Sequence, residues 1–516
     1  MALLRSIATV GGFTLLSRVV GFVRDILIAA VLGAGTVADA FFVAFKFPNL
    51  FRRLFAEGAF NAAFVPLFSG TLEAEGKDRA KVFAREAFST LALILAILVA
   101  VMEIIMPWAM IVFAPGFADV PGKTELAVEL SRITFPYLLF ISLVSLLSGV
   151  LNSMGKFAAA AGTPVLLNLV LILALLGLTP FTPTAGHALA MGVAVAGVAQ
   201  FVWLMIACAK EGIDLSLVRP RLTPEVKTLL RRIVPGAVGA GVYQINLLVD
   251  TILASLVADG AVSYLYYADR VNQLPLGVVG VAVGTALLPL LSRQLKAGDD
   301  GAALHSQNRA LEFALFLTLP SAFALMVLSD PIIAVLFERG AFGAEQAAAT
   351  AKALAAFALG LPAYVLIKVF TPGFFARGDT KTPVQVAIIA LLANIAFNLV
   401  LMGPLGHMGI ALSTSLSAWL NAMTLAWLLK RQGRFSLDPR LKTRLPRILL
   451  ACGLMTTALY GGLVLGSDWL SAGPLLARGG VLSGLIGLGL GTYLLSAQLF
   501  GAVALGEVKK LVRRRS

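Results

Sequence analysis

Six cations lie where a membrane-spanning helix should carry none: Arg18, Arg24, Lys46, Arg52, Arg53 and Arg270. Arg at the centre of a spanning helix costs at least about 3 kcal/mol, so each needs a partner, a wet cavity or a route to the surface. Against them stand only Asp25, Asp39, Glu57 and Asp269. A surplus of cations facing a cavity suits an anionic ligand, and Arg suits phosphate through its planar fork. Arg53 and Glu57, at i,i+4, are placed to neutralise each other, whereas Arg18 and Arg52 have no acid close by in sequence. Arg18 lies about 16 Å along the first apolar helix, near mid-membrane. Arg24 and Asp25 follow in its outer half, about 100° apart around the helix and so not expected to pair with each other. The competing reading is intramembrane salt bridges that fix helix packing. For the outer group of Arg24, Asp25, Asp39 and Arg270, pairing is expected and would itself act as a gate.

The elements that must hold these charges are long apolar helices. Of 516 residues, 59% are hydrophobic and 13% charged, and the mean hydropathy is +0.91. A soluble domain is nearer a quarter charged, so this composition excludes a soluble enzyme. A span needs about 20 apolar residues. The chain divides into fourteen: 7–32, 37–69, 86–112, 128–152, 157–179, 187–208, 228–257, 263–291, 309–336, 347–375, 383–402, 407–429, 447–466 and 475–503. Arg18, Arg24 and Asp25 interrupt the first stretch, unlike the short uncharged core of a signal peptide. With two cysteines and three histidines, neither a Cys/His metal site nor a disulfide framework is expected.

Most of the 41 Lys and Arg sit in alternate loops, among them Lys77, Arg79, Lys81 and Arg85, then Arg219 and Arg221, then Arg440, Lys442 and Arg444. The intervening loops hold only Lys123, Arg339 and Arg478. The positive-inside rule therefore puts both termini in the cytoplasm. The net charge of +14 reflects topology and attraction to anionic lipids, not nucleic-acid binding.

The chain also repeats itself. Asp25–Gly35 resembles Asp250–Gly260, Ala63–Ser69 resembles Ala286–Ser292, Thr163–Val165 recurs as Thr382–Val384, and Gly192–Val195 as Gly409–Leu412. The order is kept and the spacing is nearly constant. Two six-helix lobes in parallel repeat follow, residues 1–221 and 222–440, with spans 13–14 and a basic tail as an addition over 441–516. Between such lobes a substrate cavity is expected. Asp250, with Asn394 and Asn398 at i,i+4 and Thr414 on the next span, offers oxygens for a coupling cation; polar helix contacts explain the same residues. His187 and His407 open equivalent spans and are read as interfacial. Gly236, Gly239 and Gly241 are read as close packing, since no nucleotide-binding pattern accompanies them.

Three runs carry a resemblance. FPNLFRRLFAEGAFNAAFVP from Phe47 to Pro66, YYADR from Tyr266 to Arg270 and PGFFARGDTKTP from Pro372 to Pro383 resemble motifs of the MurJ/MviN lipid II flippases. The similarity extends over essentially the whole chain. It implies the all-helical exporter fold shared by multidrug, oligosaccharidyl-lipid and polysaccharide transporters, and a transporter rather than an enzyme. The implied substrate is the undecaprenyl-pyrophosphate-linked peptidoglycan precursor, moved from inner to outer leaflet of the bacterial inner membrane by alternating access.

Family cavity arginines match Arg18, Arg24, Arg52 and Arg270, and Asp25 and Asp39 match acidic positions linked to gating. Implied partners are lipid II, anionic lipids and the peptidoglycan synthesis machinery. No resident cofactor or metal is implied; Na+, H+ or the membrane potential would drive the cycle. The alternative is a cation-coupled exporter of drugs or of other polyprenyl-linked oligosaccharides; a drug exporter should favour acidic cavity residues. Reporter fusions test the orientation: a fluorescent protein joined after Ser516 should fluoresce and alkaline phosphatase there should stay inactive, with the reverse at Gly122.

Overall fold

The computed structural model describes residues 2–53 and 60–502. Sixteen helices follow one another in it: α1 Ala2–Leu32, α2 Thr36–Phe51, α3 Asn61–Phe113, α4 Lys123–Thr134, α5 Tyr137–Ser153, α6 Phe157–Leu178, α7 Ala185–Lys210, α8 Pro224–Ser255, α9 Ala261–Lys296, α10 Asp300–Val327, α11 Ser329–Phe337, α12 Ala344–Phe375, α13 Lys381–Leu405, α14 His407–Arg431, α15 Pro439–Ala472 and α16 Leu475–Leu499. By length and composition, nine helices among the described residues could cross a membrane, α4 and α5 counting as one. The fold is all-helical, as the apolar runs require: only helices satisfy their own backbone groups in hydrocarbon.

Helix ends follow local chemistry. Pro224 and Pro439 open α8 and α15, where a missing N–H costs nothing. The side chains of Asp299 and Asp438 cap α10 and α15, accepting from Ala302 N at 2.8 Å and Leu441 N at 2.7 Å. Of the expected span 37–69, residues up to Phe51 form α2, with Pro48 inside it, and Asn61–Ser69 opens α3; residues 54–59 lie outside the described residues. Lys77, Arg79, Lys81 and Arg85 are not in a loop; they lie within α3, which Gly76 breaks at φ +84°. Such a φ suits only glycine, so the chain redirects itself in one residue. Glu57 and the basic tail from Lys509 onward lie outside the described residues.

Contacts divide the chain into two compact units, Met1–Ser263 with Arg339–Phe342, and Tyr264–Glu338 with Gly343–Ser516. The first has an aromatic core built largely from the Phe47–Pro66 motif. Phe47 meets Phe113 at 4.3 Å and Phe135 at 5.2 Å, while Phe60, Phe64 and Phe68 stack along α3. The extended chain after α7 and the start of α8 are strapped to α3: Arg85 binds Asp214, Ser89 accepts from Val218 N, and Arg79 binds Glu225 in the first turn of α8.

In the second unit α12 and α14 touch nearly backbone to backbone. A Cβ on Gly360 would lie 2.9 Å from Ser415 Cα, and the Ser415 hydroxyl donates to the Ala356 carbonyl at 2.7 Å. In the C-terminal pair α15–α16, a Cβ on Gly462 would lie 2.6 Å from Leu485. Small residues allow this approach where water supplies no hydrophobic drive. Gly360→Ala should therefore overpack the α12–α14 contact and destabilise by about 1–3 kcal/mol. Gly479→Ala on α16, with open space around its Cβ, should be neutral or stabilising by up to about 1 kcal/mol. Thermal unfolding of the two purified variants in detergent measures the contrast.

Candidate functional site

Asp39, in the first turns of α2, has a fully enclosed carboxylate. It accepts four hydrogen bonds. Lys123 Nζ donates to Oδ2 at 2.8 Å and Gly260 N to the same oxygen at 2.8 Å. Ser263 donates to Oδ1 through its N–H at 2.8 Å and its hydroxyl at 2.5 Å. Lys123 opens α4 and is itself only 2% exposed. Its ammonium also binds Asp259 Oδ1 at 2.5 Å and lies 4.3 Å from the centre of the Phe117 ring. Asp259 in turn accepts from the Thr36 hydroxyl at 3.0 Å. Three segments of the first unit thus converge on one carboxylate: the α1–α2 corner, the start of α4 and the α8–α9 turn. In that turn Gly260 adopts φ +87°, which brings its N–H to Asp39.

Lys123 is the residue the sequence reading missed. It stood there as a loop cation, 84 positions from its partner. The signal was its isolation, since few cations occupy the loops the charge rule leaves bare. Arg478, another of those exceptions, is also paired, with Glu338 at 3.2 Å.

Arg24 and Asp25 correct an expectation. They do pair: Arg24 Nε and Nη2 both donate to Asp25 Oδ1, at 3.0 and 2.6 Å. Their Cβ directions diverge, but the Arg stem is long enough to fold its guanidinium back over the neighbouring carboxylate. Nη1 reaches Asn168 Oδ1 on α6 at 2.8 Å, and Asn168 Nδ2 donates to the Ser17 carbonyl at 3.1 Å. Both charges are buried. Arg18, six residues earlier on α1, is exposed. Lys46 donates to the Thr251 hydroxyl on α8 at 2.5 Å. Arg52 is half-buried just beyond α2 and donates from Nε to Asn49 Oδ1 at 3.0 Å.

In the second unit Arg270 is half-buried on α9 and lies 4.7 Å from the Tyr266 ring centre, a cation–π contact. Asn398 Nδ2 donates to Asn394 Oδ1 at 2.5 Å, and Asn394 Nδ2 reaches Thr414 at 3.5 Å and Ser417 at 3.4 Å. These oxygens join α13 to α14. Asp250 lies half-buried on α8 of the first unit. His407 binds the Ala349 carbonyl at 2.8 Å, and His187 binds the Thr184 hydroxyl at 2.8 Å. The run from Pro372 to Pro383 forms the α12–α13 corner. Gly378 turns it at φ +79°, and Asp379 accepts from Thr382 N at 3.0 Å. That backbone hydrogen bond holds the Asp379 carboxyl below the usual carboxylate range.

Comparison with known proteins converges on one family. The family model "Lipid II flippase MurJ" matches residues 28–477. A probable lipid II flippase MurJ of Rhizobium meliloti (strain 1021) is 46% identical over 524 aligned residues, covering 100% of this chain and 97% of that one. A solved lipid II flippase MurJ in an inward closed conformation superposes with TM-score 0.78 at 28% identity, covering 95% of this chain and 98% of the other. An inward-facing multidrug transporter of the MATE family, 16% identical with TM-score 0.67, covers 81% of this chain and 94% of its own, and shares the fold. The chain belongs to the MurJ family of lipid II flippases.

Proposed function

We propose that this protein moves lipid II, the undecaprenyl-pyrophosphate-linked peptidoglycan precursor, from the inner to the outer leaflet of the bacterial cytoplasmic membrane by alternating access. The observation that carries the reading is the family match across residues 28–477. The chemistry of the chain agrees with it. Arg18, Arg24, Arg52 and Arg270 would bind the pyrophosphate, whose two charges and paired non-bridging oxygens suit guanidinium forks. A drug exporter of the same fold, which moves cations, would gain nothing from that surplus. The polyprenyl tail stays in lipid, so only the headgroup has to cross a polar path.

The network around Asp39 supplies what the outer gate needs. Both termini being cytoplasmic, the α1–α2 corner, the start of α4 and the α8–α9 turn lie at the outer end. Asp39, with Lys123 as its counter-charge, latches that end while the path opens inward; Arg24 with Asp25, and Arg270, form the rest of the gate charge. A latch of ion pairs exchanges partners when an anion arrives, which gives the substrate different contacts in the two states, as any ligand-driven shift requires. Asp250 of the first unit, or Asn394, Asn398 and Thr414 of the second, offer oxygens through which Na+ would couple to the cycle, and of these only Asp250 could carry H+, with the membrane potential as the other source of drive. Hand-over of lipid II to the peptidoglycan synthesis machinery follows on the outer face.

Arg18→Ala and Arg52→Ala should each lower lipid II translocation in depleted cells by roughly tenfold or more at normal expression, and Lys should rescue poorly. Complementation by either Ala variant would remove these residues from the binding site. Lys123→Met leaves the buried Asp39 without its counter-charge, at a cost of about 3–5 kcal/mol to the closed gate, and Asp39→Asn, which leaves Lys123 only Asp259, should cost less. With Cys208 and Cys452 replaced, a cysteine at Thr36 should then react faster with an impermeant thiol reagent. Unchanged labelling in both variants would mean that packing alone closes this end.

A further inference from the structure

The second unit holds a cavity of 470 Å³ where α14 gives way to α15, within the roughly 300–1,000 Å³ of small-molecule pockets. Leu311 and Leu315 of α10, Phe370 of α12, and Trp419, Met423 and Trp427 of α14 make its walls apolar. Phe370 and Phe435 close one side edge to face at 5.3 Å. Two cations, Lys430 and Lys442, also line it, and both are exposed. Arg431 adds a third nearby, lying 5.4 Å from the Trp427 ring centre.

The acids beside this cavity are already taken. Glu312, nearly buried on α10, is bound by Arg309, Arg440 and Arg444. Asp438 is bound by Arg309 and caps α15. Among the described residues neither Lys430 nor Lys442 has an ion-pair partner. An apolar chamber with uncompensated lysines at its mouth, opening among membrane helices, matches a molecule with a hydrocarbon chain and a phosphate. Each Lys near a membrane surface favours anionic lipid over neutral lipid by about fivefold. Trp at the same level is typical of the headgroup zone.

We propose that this cavity takes one acyl chain of an anionic glycerophospholipid, with Lys430 and Lys442 binding its phosphate. The lipid fills the gap between α12, α14 and the first turns of α15. It belongs to the membrane rather than to the transported cargo, and none of the arginines assigned to lipid II lines the cavity.

The test uses the full-length protein purified in detergent, delipidated, and titrated with phosphatidylglycerol, with phosphatidylcholine of the same chains, and with soluble glycerol phosphate. Phosphatidylglycerol should bind at least tenfold more tightly than phosphatidylcholine, and glycerol phosphate should not compete. Lys430→Gln with Lys442→Gln should weaken phosphatidylglycerol roughly thirty-fold, from two lysines at about fivefold each, and leave phosphatidylcholine unchanged. Lys430→Arg with Lys442→Arg should retain the preference, which separates charge from misfolding. Ala426→Phe, which fills the chamber, should weaken both lipids. Equal binding of the two lipids, or an unchanged preference in the Gln variant, would overturn the proposal. So would competition by glycerol phosphate, which makes this a bare phosphate site, or tighter binding of undecaprenyl phosphate, which gives the cavity to the substrate's tail.

Discussion

A carboxylate removed from water must find its donors inside the protein, and the first unit is arranged around that requirement at Asp39. Four donors from Lys123, Gly260 and Ser263 reach its two oxygens. Isolated burial of such a charge costs several kcal/mol, so removing any donor raises the energy of the whole arrangement. The constraint is geometric as well as energetic. α2, the start of α4 and the α8–α9 turn all have fixed positions once their atoms must meet at one point. That is how a charge can specify a conformation without adding much net stability: the enclosed state is tolerated only when every segment is in place.

The second unit uses the same physics, with arginines as the donors. Glu312 gathers Arg309, Arg440 and Arg444, and so ties α15 to α10. Tyr493 adds a hydrogen bond from α16 to the Phe316 carbonyl at 2.6 Å. The two C-terminal helices, which the internal repeat does not include, are therefore held by polar anchors near their ends and by glycine-mediated packing between them. Between the anchors, α15 and α16 present large apolar side chains such as Leu465, Leu476 and Leu499 to the surroundings, as helices facing hydrocarbon must.

How much of this was legible in the sequence follows from the range of each interaction. Helices were legible because a run of about 20 apolar residues has one outcome in a bilayer. The expected span 157–179 and the observed α6, Phe157–Leu178, show the agreement. The break at Gly76 was harder to see, because the stretch stays helical on both sides of it. Arg24 and Asp39 stood out as charges in the wrong place. Their partners did not, since Asn168 is 144 positions from Arg24 and Lys123 is 84 from Asp39, and no local pattern links such positions. The neighbouring pair Arg24–Asp25 was misread for the opposite reason: helix geometry fixes where a side chain leaves the backbone, while a long flexible stem decides where its charge arrives.

The separation of the Asp39 donors along the chain also has a meaning in time. Lys123 follows Asp39 by 84 residues, and Gly260 and Ser263 follow it by 221 and 224. At roughly 5–20 residues per second, the ribosome takes about 4–17 s to supply the first donor and about 11–45 s to supply the last. Throughout that interval α2 exists with an acid whose final shelter has not been made. Until the α8–α9 turn is made, three of the four hydrogen bonds to Asp39 are missing, and a carboxylate without them favours contact with water. The residue that closes the first unit in space is therefore also among the last of its contacts to be completed during synthesis.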